Sequence, residues 1–354
     1  MEEKKDTLGM LDLVIRPGFC VKENQIIKVN QAAESLFITP GTDVRPLLLT
    51  GVEEYAAFTG GCLYLTLNLS SHSCGASVTR VDDIDVFLLE QESDNGELRS
   101  MALAARELRE PLTNVMITAD SLFPLCAAES SPRTAEQVAR LNRGLFQILR
   151  IIGNMSDAER CAAVSHQETV DIPALFAEFF EKAETLVSHT GITLTYEGPD
   201  QPIYGLADRE QLERAVLNIL SNAIKFTPKG GTVAAKLTRS GRMLRLSVTD
   251  SGSGIAQSVR SSVFSRYLRQ PALEDSRYGI GLGMVLIRTA AAHHGGAVLI
   301  DQPEGAGTRI TMTMSIRQSK QATLRSNVLR VDYAGERDHG LIELSECLPT
   351  ELYE

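Results

Sequence analysis

The hydrophobic pattern along the chain changes character three times. Between residue 11 and about residue 90, short apolar stretches are separated by glycine and serine, as in TGG and SSHSCG. The stretches QIIKVN, CLYLTLNL and IDVFLLE predict strands, and QAAESLF predicts a short helix. We expect a small mixed α/β domain here and place it at residues 1–92.

After the hydrophilic connector EQESDNGE, the apolar positions follow the alternating spacing of four and three residues that is typical of a coiled coil. FPLCAAESSP is expected to break the helix, and the same spacing then resumes. Residues 93–164 therefore predict an antiparallel helical hairpin, and pairing of two hairpins into a four-helix bundle predicts a homodimer. The seam positions are Met101, Ala105, Leu108, Leu112, Val115, Ala119 and Leu122, then Val138, Leu141, Leu145, Ile148, Ile152 and Met155.

Strand and helix patterns alternate again from residue 165 to residue 317, which predicts an α/β sandwich. ITLTYEG, GTVAAKLTR, MLRLSVTD, AVLID and GTRITMTMSI are the predicted strands, with helices from residue 208 and from about residue 283. The remaining residues, 318–354, form a tail of unknown role with predicted strands at NVLRVDY and GLIELS. The whole chain is expected to be an α+β multidomain protein.

The helix from residue 208 carries a polar stripe beside its apolar face. Asp208 and Gln211 resemble a capping box at its start. Asn218, Asn222 and Lys225 follow at i, i+4 and i+7, so they share one face. Two carboxamides and an ammonium suit Mg²⁺ and phosphate oxygens. On this helix alone, a solvated polar face is the favoured explanation of the stripe.

Two glycine motifs follow the stripe. In DSGSGI, Asp250 ends a strand and could accept a hydrogen bond from an adenine amino group, while Gly252 and Gly254 let a ligand approach the backbone. In YGIGLGM, Gly279, Gly281 and Gly283 lead into a helix whose N-terminus can bind anions. Taken alone, DSGSGI could be an ordinary turn, and YGIGLGM does not follow a strand as the dinucleotide-binding fingerprint requires.

In this order and spacing the motifs resemble the ATP-binding domain of histidine kinases, a fold shared with gyrase and the Hsp90 chaperones. NILSNAIKFTPKGG is similar to the N box, DSGSGI and YGIGLGMVLI to the two glycine boxes, and VFSRYLR to the F box. In the F box Phe264, Tyr267 and Arg269 fit, whereas Ser265 replaces the usual acidic residue. AHHGGAV and EGAGT fall where the family has its HGG turn and last glycine motif, so His293 and His294 are expected to be structural.

The resemblance implies ATP and Mg²⁺ as cofactors. Asn218 and Asn222 would bind Mg²⁺ and phosphate, Lys225 would contact phosphate, and Asp250 would accept the adenine amino group. The other ATP-binding positions that it implies are Gly252, Gly254, Arg269, Gly279, Gly281, Leu282, Gly283 and Thr308. Hydrolysing members of the wider fold have a glutamate at the first N-box position, and Asn218 cannot serve as a base there.

ARELREPLTNV is similar to the family's phosphoacceptor segment, H-E-L-R-x-P-L, but Arg106 stands in the histidine position. A guanidinium remains protonated and has no useful lone pair, so phosphorylation in the family's manner should fail. Glu107, which assists proton transfer in the family, is retained. His166, just past the second helix, is the least implausible substitute acceptor.

The first 92 residues resemble a PAS sensor domain, chiefly through NQIIKVNQAAESLF. The formal net charge of −10 argues against a nucleic-acid-binding surface. The six cysteines show neither C-x-x-C nor zinc-site spacing, no apolar run is long enough to span a bilayer, and no signal peptide is evident. We therefore expect a cytoplasmic location.

The resulting hypothesis is a histidine kinase-like protein of two-component signalling that binds Mg-ATP but does not phosphorylate itself. Its partner would be a response regulator or another kinase. Two alternatives stay open. In one, the chain is an active kinase with another acceptor on itself or on a partner, for which the retained Glu107 is some support. In the other, it is a scaffold that has lost ATP binding, although Asn222, Asp250 and the lid glycines argue against this.

Overall fold

The computed structural model describes residues 9, 11–69, 72–90, 92–128, 132–163, 166–255, 263–264, 282–303, 307–317 and 337–353. The elements of the first part are β1 (Gly18–Lys22), β2 (Gln25–Val29), α1 (Gln31–Glu34), α2 (Val52–Ala56), β3 (Cys62–Asn68), β4 (Ser73–Val81) and β5 (Ile84–Leu89). None of the described helices is both long enough and apolar enough to cross a membrane.

The first part is an antiparallel sheet in the order β2-β1-β5-β4-β3. Its core contains stacked Phe19 and Phe87, whose ring centroids lie 4.7 Å apart. The predicted β2, α1, β3 and β5 are confirmed. SSHSCG was predicted to interrupt the strand pattern. This prediction is wrong for the last residues of that stretch, because β4 begins at Ser73 and buries alternate residues against the core.

The helical part consists of α3 (Glu92–Ala128) and α4 (Pro132–Ala163), which pack side by side. The predicted break at FPLCAAESSP is wrong in part, since α3 continues through Pro124 to Ala128. Proline removes one backbone hydrogen bond, but the following LCAA favours continuation of an established helix. The shared core of the hairpin includes Ala105 and Leu112 from α3 and Leu149 and Ile152 from α4.

The third part comprises β6 (Glu168–Asp171), α5 (Ile172–Val187), β7 (Thr193–Glu197), β8 (Tyr204–Ala207), α6 (Arg209–Phe226), β9 (Thr232–Ser240), β10 (Met243–Asp250), α7 (Leu282–His293), β11 (Val298–Asp301) and β12 (Arg309–Ser315). Its main sheet has the order β11-β12-β10-β9-β7, with β7 and β9 parallel. Helices α5, α6 and α7 contribute apolar faces to the core between them and this sheet. The elements predicted for this part are present.

Strand β3 pairs with β11, so the sheets of the first and third parts form one sheet of ten strands. Leu63 pairs with Leu299 and Tyr64 with Val298 in this antiparallel contact. Beside it, Arg288 of α7 forms an ion pair with Glu90, at a nitrogen–oxygen distance of 2.5 Å, and lies over the Tyr64 ring. The first part is thus connected directly to the helix that carries the second glycine motif.

The C-terminal residues contain α8 (His339–Glu343) and a 3-10 turn (Thr350–Tyr353). GLIELS was predicted to be a strand, and this is wrong. The Asp338 side chain caps the helix by accepting a hydrogen bond from Leu341 N at 3.0 Å, and α8 packs against α4, α5 and α6. That packing buries Ile342 and Glu343 together, which an alternating strand with one buried face would not do. The predicted strand NVLRVDY lies outside the described residues.

Candidate nucleotide site

The start of α6 is held by a buried histidine. Asp208 caps the helix by accepting from Gln211 N at 3.2 Å, and its own N–H donates to Nε2 of His294 at 3.0 Å. Nδ1 of His294 lies 2.7 Å from the Ala290 carbonyl oxygen and therefore carries the proton. Burial lowers the pKa of His294, which agrees with this neutral tautomer. The imidazole is a structural link between α6 and α7.

Asn218 lies in the middle of α6 with 1% of its surface exposed. Its Nδ2 donates to the Arg214 carbonyl at 2.9 Å and to Oε2 of Glu343 at 3.4 Å. Its Oδ1 has no hydrogen-bond partner among the described residues. A buried carboxamide oxygen left without a donor is suited to a cation, because Mg²⁺ prefers oxygen ligands.

The other two polar positions follow along α6. Asn222 is half-buried one turn after Asn218. Lys225 is also half-buried, and its Nζ lies 3.0 Å from Oε2 of Glu346. The predicted stripe is therefore not a solvated face: part of it is enclosed, and its ammonium already faces a carboxylate.

Asp250 ends β10 and is also buried. Its Oδ1 accepts from Gly252 N at 2.8 Å and from Thr308 N at 3.1 Å, which fixes the carboxyl group and leaves Oδ2 for a ligand. Burial raises the pKa of Asp250, and the two backbone hydrogen bonds oppose this effect. The position is thus suited to accept one directed hydrogen bond, as an adenine amino group would donate.

The glycines around Asp250 are required by close backbone contacts. Gly307 has φ +98°, and a Cβ there would lie 1.8 Å from the Asp250 carbonyl oxygen. A Cβ at Gly252 would lie 2.4 Å from the Phe226 carbonyl oxygen. Gly254 also has positive φ, at +74°. These glycines allow three chain segments to meet around one carboxyl group.

The structure brings the second glycine motif to the same place. A Cβ at Gly283, in the first turn of α7, would lie 2.7 Å from Oδ1 of Asn218. Leu282 is buried and packs near Met101 of α3 and Met155 of α4. Gly279, Gly281, Ser265, Tyr267 and Arg269 lie outside the described residues, while Phe264 is buried with its ring centroid 5.6 Å from that of Tyr64.

The substituted acceptor segment lies on the surface of α3. Arg106 and Glu107 are exposed, and Pro111 stands within the helix. Pro111 has no N–H to donate to the Glu107 carbonyl, so the backbone next to the acceptor position lacks one helical hydrogen bond. A polar exposed site is what a phosphoacceptor needs, but the residue present is an arginine.

His166 is poorly placed to replace the missing histidine. Its backbone N–H donates to Oδ2 of Asp208 at 2.6 Å, at the start of α6. Asp208 precedes Asn218 by ten residues, or about 15 Å along a helix. His166 therefore lies at the end of α6 opposite to Lys225.

Sequence reasoning did not identify four charged residues that lie next to Asn218 and Lys225. They are Arg150 of α4, Arg214 of α6, and Glu343 and Glu346 of the C-terminal segment. Of these four, only Arg214 could have been found from the sequence spacing, because it stands four residues before Asn218 and extends the polar stripe by one turn.

The side chains fit a magnesium-bound nucleotide. Amide oxygens and an ammonium on α6, and a fixed carboxyl group at the end of β10, are the groups to which the resemblance assigns ATP. Mg²⁺ with a nucleotide usually takes only one or two ligands from the protein, since phosphates and water supply the rest. Accordingly, the described residues need not contain a cluster of three or more acidic, histidine or cysteine ligands, and none is found there.

Comparison with known proteins places the site in a family. Residues 207–318 match the histidine kinase-, DNA gyrase B-, and HSP90-like ATPases. The chain is 28% identical over 276 residues to an uncharacterized sensor-like histidine kinase of Rhizobium meliloti, covering 73% of this chain and 52% of that protein. It is 28% identical over 264 residues to the adaptive-response sensory kinase SasA of Synechocystis, covering 70% and 68%.

Two further comparisons agree. The sensor-like histidine kinase SenX3 of Mycobacterium tuberculosis is 25% identical over 262 residues, which is 68% of this chain and 63% of that protein. Full-length ShkA, solved in complex with AMPPNP, superposes with a TM-score of 0.51 at 24% identity, covering 62% of this chain and 46% of ShkA. The ShkA likeness shows the fold alone. The chain spans about half to two thirds of the length of these relatives.

Proposed function

We propose that the chain is a sensor histidine kinase-like protein that binds Mg-ATP as a regulatory protein of a two-component system without phosphorylating itself at position 106. The observation that carries this proposal is that Gly283 lies beside Asn218 and that the loop of Asp250 lies beside Phe226 at the end of the same helix, in a chain whose acceptor position holds Arg106.

Each polar residue of the site has a distinct task. Asn218 and Asn222 would hold Mg²⁺ and phosphate oxygens, and Lys225 would neutralise phosphate charge. Asp250 would accept the adenine amino group while its other oxygen keeps the hydrogen bonds to Gly252 and Thr308. The magnesium nucleotide would supply an electrophilic γ-phosphoryl group. This chain has no imidazole at position 106 to attack it.

Without phosphorylation, the nucleotide can act through conformation. Leu282 begins the helix of the second glycine motif and packs near Met101 and Met155 of the hairpin. Nucleotide binding at Gly283 would therefore act within the turn that carries Leu282 and Val285, the cluster against which both hairpin helices pack. A ligand that favours one arrangement of this contact shifts the population of hairpin arrangements available to a partner.

The exposed side of the hairpin supports the proposal of a homodimer. Leu108, Val115 and Leu122 of α3 recur every seven residues and are 50%, 52% and 51% exposed. Leu141 and Ile148 form the same spacing on α4 and are 62% and 47% exposed. Both stripes lie beside the buried seam of the hairpin, so a second hairpin could cover them in a four-helix bundle.

We further propose a sensor role for residues 1–92, dimerisation for residues 93–164 and ATP binding for residues 165–317. The five-stranded antiparallel order of the first part supports a PAS-like sensor. The Glu90–Arg288 ion pair gives such a sensor a direct contact with α7. A response regulator or a partner kinase is the proposed recipient of the signal.

The decisive experiment incubates the purified full chain with γ-labelled ATP and Mg²⁺ and measures binding and labelling together. We expect bound nucleotide and no acid-labile label on the protein. Acid-labile label on the chain, or its transfer to a response regulator, would establish an active kinase instead. Failure to bind a fluorescent ATP analogue in the presence of Mg²⁺ would identify a scaffold that has lost the site.

A further inference from the structure

The described C-terminal segment, residues 337–353, lies between the hairpin and the helix of the N box. Hairpin helix α4 holds its backbone: Arg143 donates to the carbonyl oxygens of Ser345 at 2.9 Å and Glu346 at 3.0 Å. Asn142 donates to the Tyr353 carbonyl at 2.9 Å. The Tyr353 ring packs edge-on against Phe146 with centroids 5.2 Å apart. The segment is therefore docked by specific contacts.

The docked segment directs a fully buried carboxylate at Asn218. Glu343 has 0% exposure, and its Oε1 lies 3.1 Å from Nη2 of Arg214. Its Oε2 lies 3.3 Å from Nε of Arg150 and 3.4 Å from Nδ2 of Asn218. A carboxylate at this depth is stable only because it is paired on both oxygens.

A second carboxylate occupies the other end of the stripe. Oε2 of Glu346 lies 3.0 Å from Nζ of Lys225 and 3.0 Å from Nη1 of Arg150. Burial disfavours its charged form, but Arg150 and Lys225 outweigh burial and hold the pKa of Glu346 below its usual value. Glu346 is therefore an anion at neutral pH, beside the ammonium proposed to contact phosphate.

Glu346 faces the ammonium that a triphosphate would use, whereas Glu343 contacts Nδ2 of Asn218 and holds the segment in place. Phosphate and carboxylate oxygens are both acceptors that pair with guanidinium and ammonium groups. A phosphate brought to Lys225 would meet the negative charge of Glu346 at close range. In a partly buried site this repulsion is weakly screened, so the phosphate and Glu346 exclude each other.

We propose that residues 337–353 form an autoinhibitory segment that competes with the phosphates of Mg-ATP for Lys225. The inference rests on the proposed function of the nucleotide site and adds its regulation. Docking reduces the apparent affinity for nucleotide, which equals the intrinsic affinity multiplied by the fraction of molecules in which the segment is released. Release also removes the contacts of Arg143 and the carboxylate partners of Arg150, so whatever binds the segment or the hairpin would control access of nucleotide.

The test measures the affinity of the full chain for a fluorescent ATP analogue with Mg²⁺ in four proteins. Glu346→Gln removes the competing charge, and Arg143→Ala removes the backbone anchor on α4 without touching the nucleotide site. Glu351→Gln, an exposed position on the same segment, is the matched control. If the docked form outnumbers the open form by about ten to one, the first two variants bind about tenfold tighter, and the control binds like the unmodified chain.

A second readout follows docking without any substitution. Sγ of Cys347 lies 3.8 Å from Oγ of Ser221 on α6, and burial raises the pKa of this thiol, which slows its alkylation. Mg-ATP should speed alkylation of Cys347 by iodoacetamide, measured by mass spectrometry of the peptide that contains it. Arg143→Ala should speed it without nucleotide.

The outcomes separate the two proposals. Equal nucleotide affinity in all four proteins, with Cys347 alkylation unaffected by Mg-ATP, would overturn autoinhibition and leave nucleotide binding in place. Absence of binding in every protein, including those with a released segment, would overturn the proposed function and this inference with it. Should Arg143→Ala fail to fold, Glu346→Gln and the Cys347 readout on the unmodified chain still decide the question.

Discussion

Gly283 and Asn218 are in direct contact across the site, because a Cβ on Gly283 would lie 2.7 Å from Oδ1 of Asn218. This contact joins the first turn of α7 to the middle of α6. The carboxamide oxygen involved is the one without a partner among the described residues. The space beside it is therefore available to a cation only while residue 283 has no side chain.

Gly283→Ala should weaken Mg-ATP binding by about tenfold or more, since the added methyl group displaces Asn218 or blocks its oxygen. Overpacking of this kind also costs about 1–3 kcal/mol in the free energy of unfolding. Titration with a fluorescent ATP analogue and denaturant unfolding measure the two effects. Gly96→Ala is the control, because Gly96 lies in α3 with open space around it. Unchanged affinity in Gly283→Ala would exclude Asn218 as a ligand.

Asp250→Asn should remove adenine recognition and preserve the fold. Asparagine retains one oxygen for Gly252 N and Thr308 N but presents an NH₂ group where the ligand's amino group would donate. The loss should be about 1.5–3 kcal/mol, or roughly 10- to 150-fold in affinity. Inosine triphosphate lacks the amino group, so the unmodified chain should bind it more weakly than ATP.

The comparison of nucleotides makes the test specific. In Asp250→Asn, ATP should lose its advantage over inosine triphosphate, because the group that distinguished them is gone. An advantage for ATP that persists in the variant would show that Asp250 does not contact the adenine amino group.

The nucleotide site was largely predictable because its motifs are local. Asn218, Asn222 and Lys225 lie within eight residues on one helix, so helical spacing alone aligned them. Asp250 follows an alternating strand, and the glycines mark the turns around it. The prediction that the α6 stripe and the Asp250 motif form one site came from the family resemblance and not from their spacing in the sequence.

The C-terminal contacts were not predictable in the same way. Glu343 reaches Asn218 across 125 positions of the chain, and Glu346 reaches Lys225 across 121. No local pattern links them, and the few apolar residues of GLIELS fit a strand as well as a helix. Tertiary packing against α4 and α6 decided the conformation of this short segment.

Acidification should destabilise the protein through His294. Burial holds its folded-state pKa below the usual 6.5, so the unfolded chain binds a proton that the folded chain does not. The free energy of unfolding should therefore fall as pH drops below 6.5, and level off once the pH is below the folded-state pKa. The slope is at most about 1.4 kcal/mol per pH unit for one proton.

His294→Gln isolates this contribution. Glutamine can accept from Asp208 N and donate to the Ala290 carbonyl, but it does not titrate. Denaturant unfolding between pH 7 and pH 5 should show a shallower decline in the variant. Some decline should remain, because burial also lowers the pKa of His293. Identical pH profiles would show that His294 titrates alike in both states.

Dimerisation should depend on the exposed stripe of α3. Val115→Glu puts a charge in the middle of Leu108, Val115 and Leu122, so it should shift the full chain from dimer to monomer. Ile117→Glu is the control, since Ile117 is 59% exposed but points to a different side of the helix. Light scattering gives the mass of each protein. A monomeric unmodified chain, or equal dimerisation in both variants, would contradict the proposed four-helix bundle.

Restoring the acceptor imidazole tests whether only the nucleophile has been lost. Arg106→His provides a ring nitrogen with a free lone pair beside Glu107, five residues before Pro111. Incubation with γ-labelled ATP should then give acid-labile label on the chain, whereas Arg109→His, three residues further along α3, should give none. Adding Asp250→Asn to Arg106→His should reduce the label when ATP is subsaturating, since phosphoryl transfer requires bound nucleotide. If Arg106→His binds ATP and stays unlabelled, the hairpin does not bring position 106 to the γ-phosphate, and the arginine is not the only barrier to catalysis.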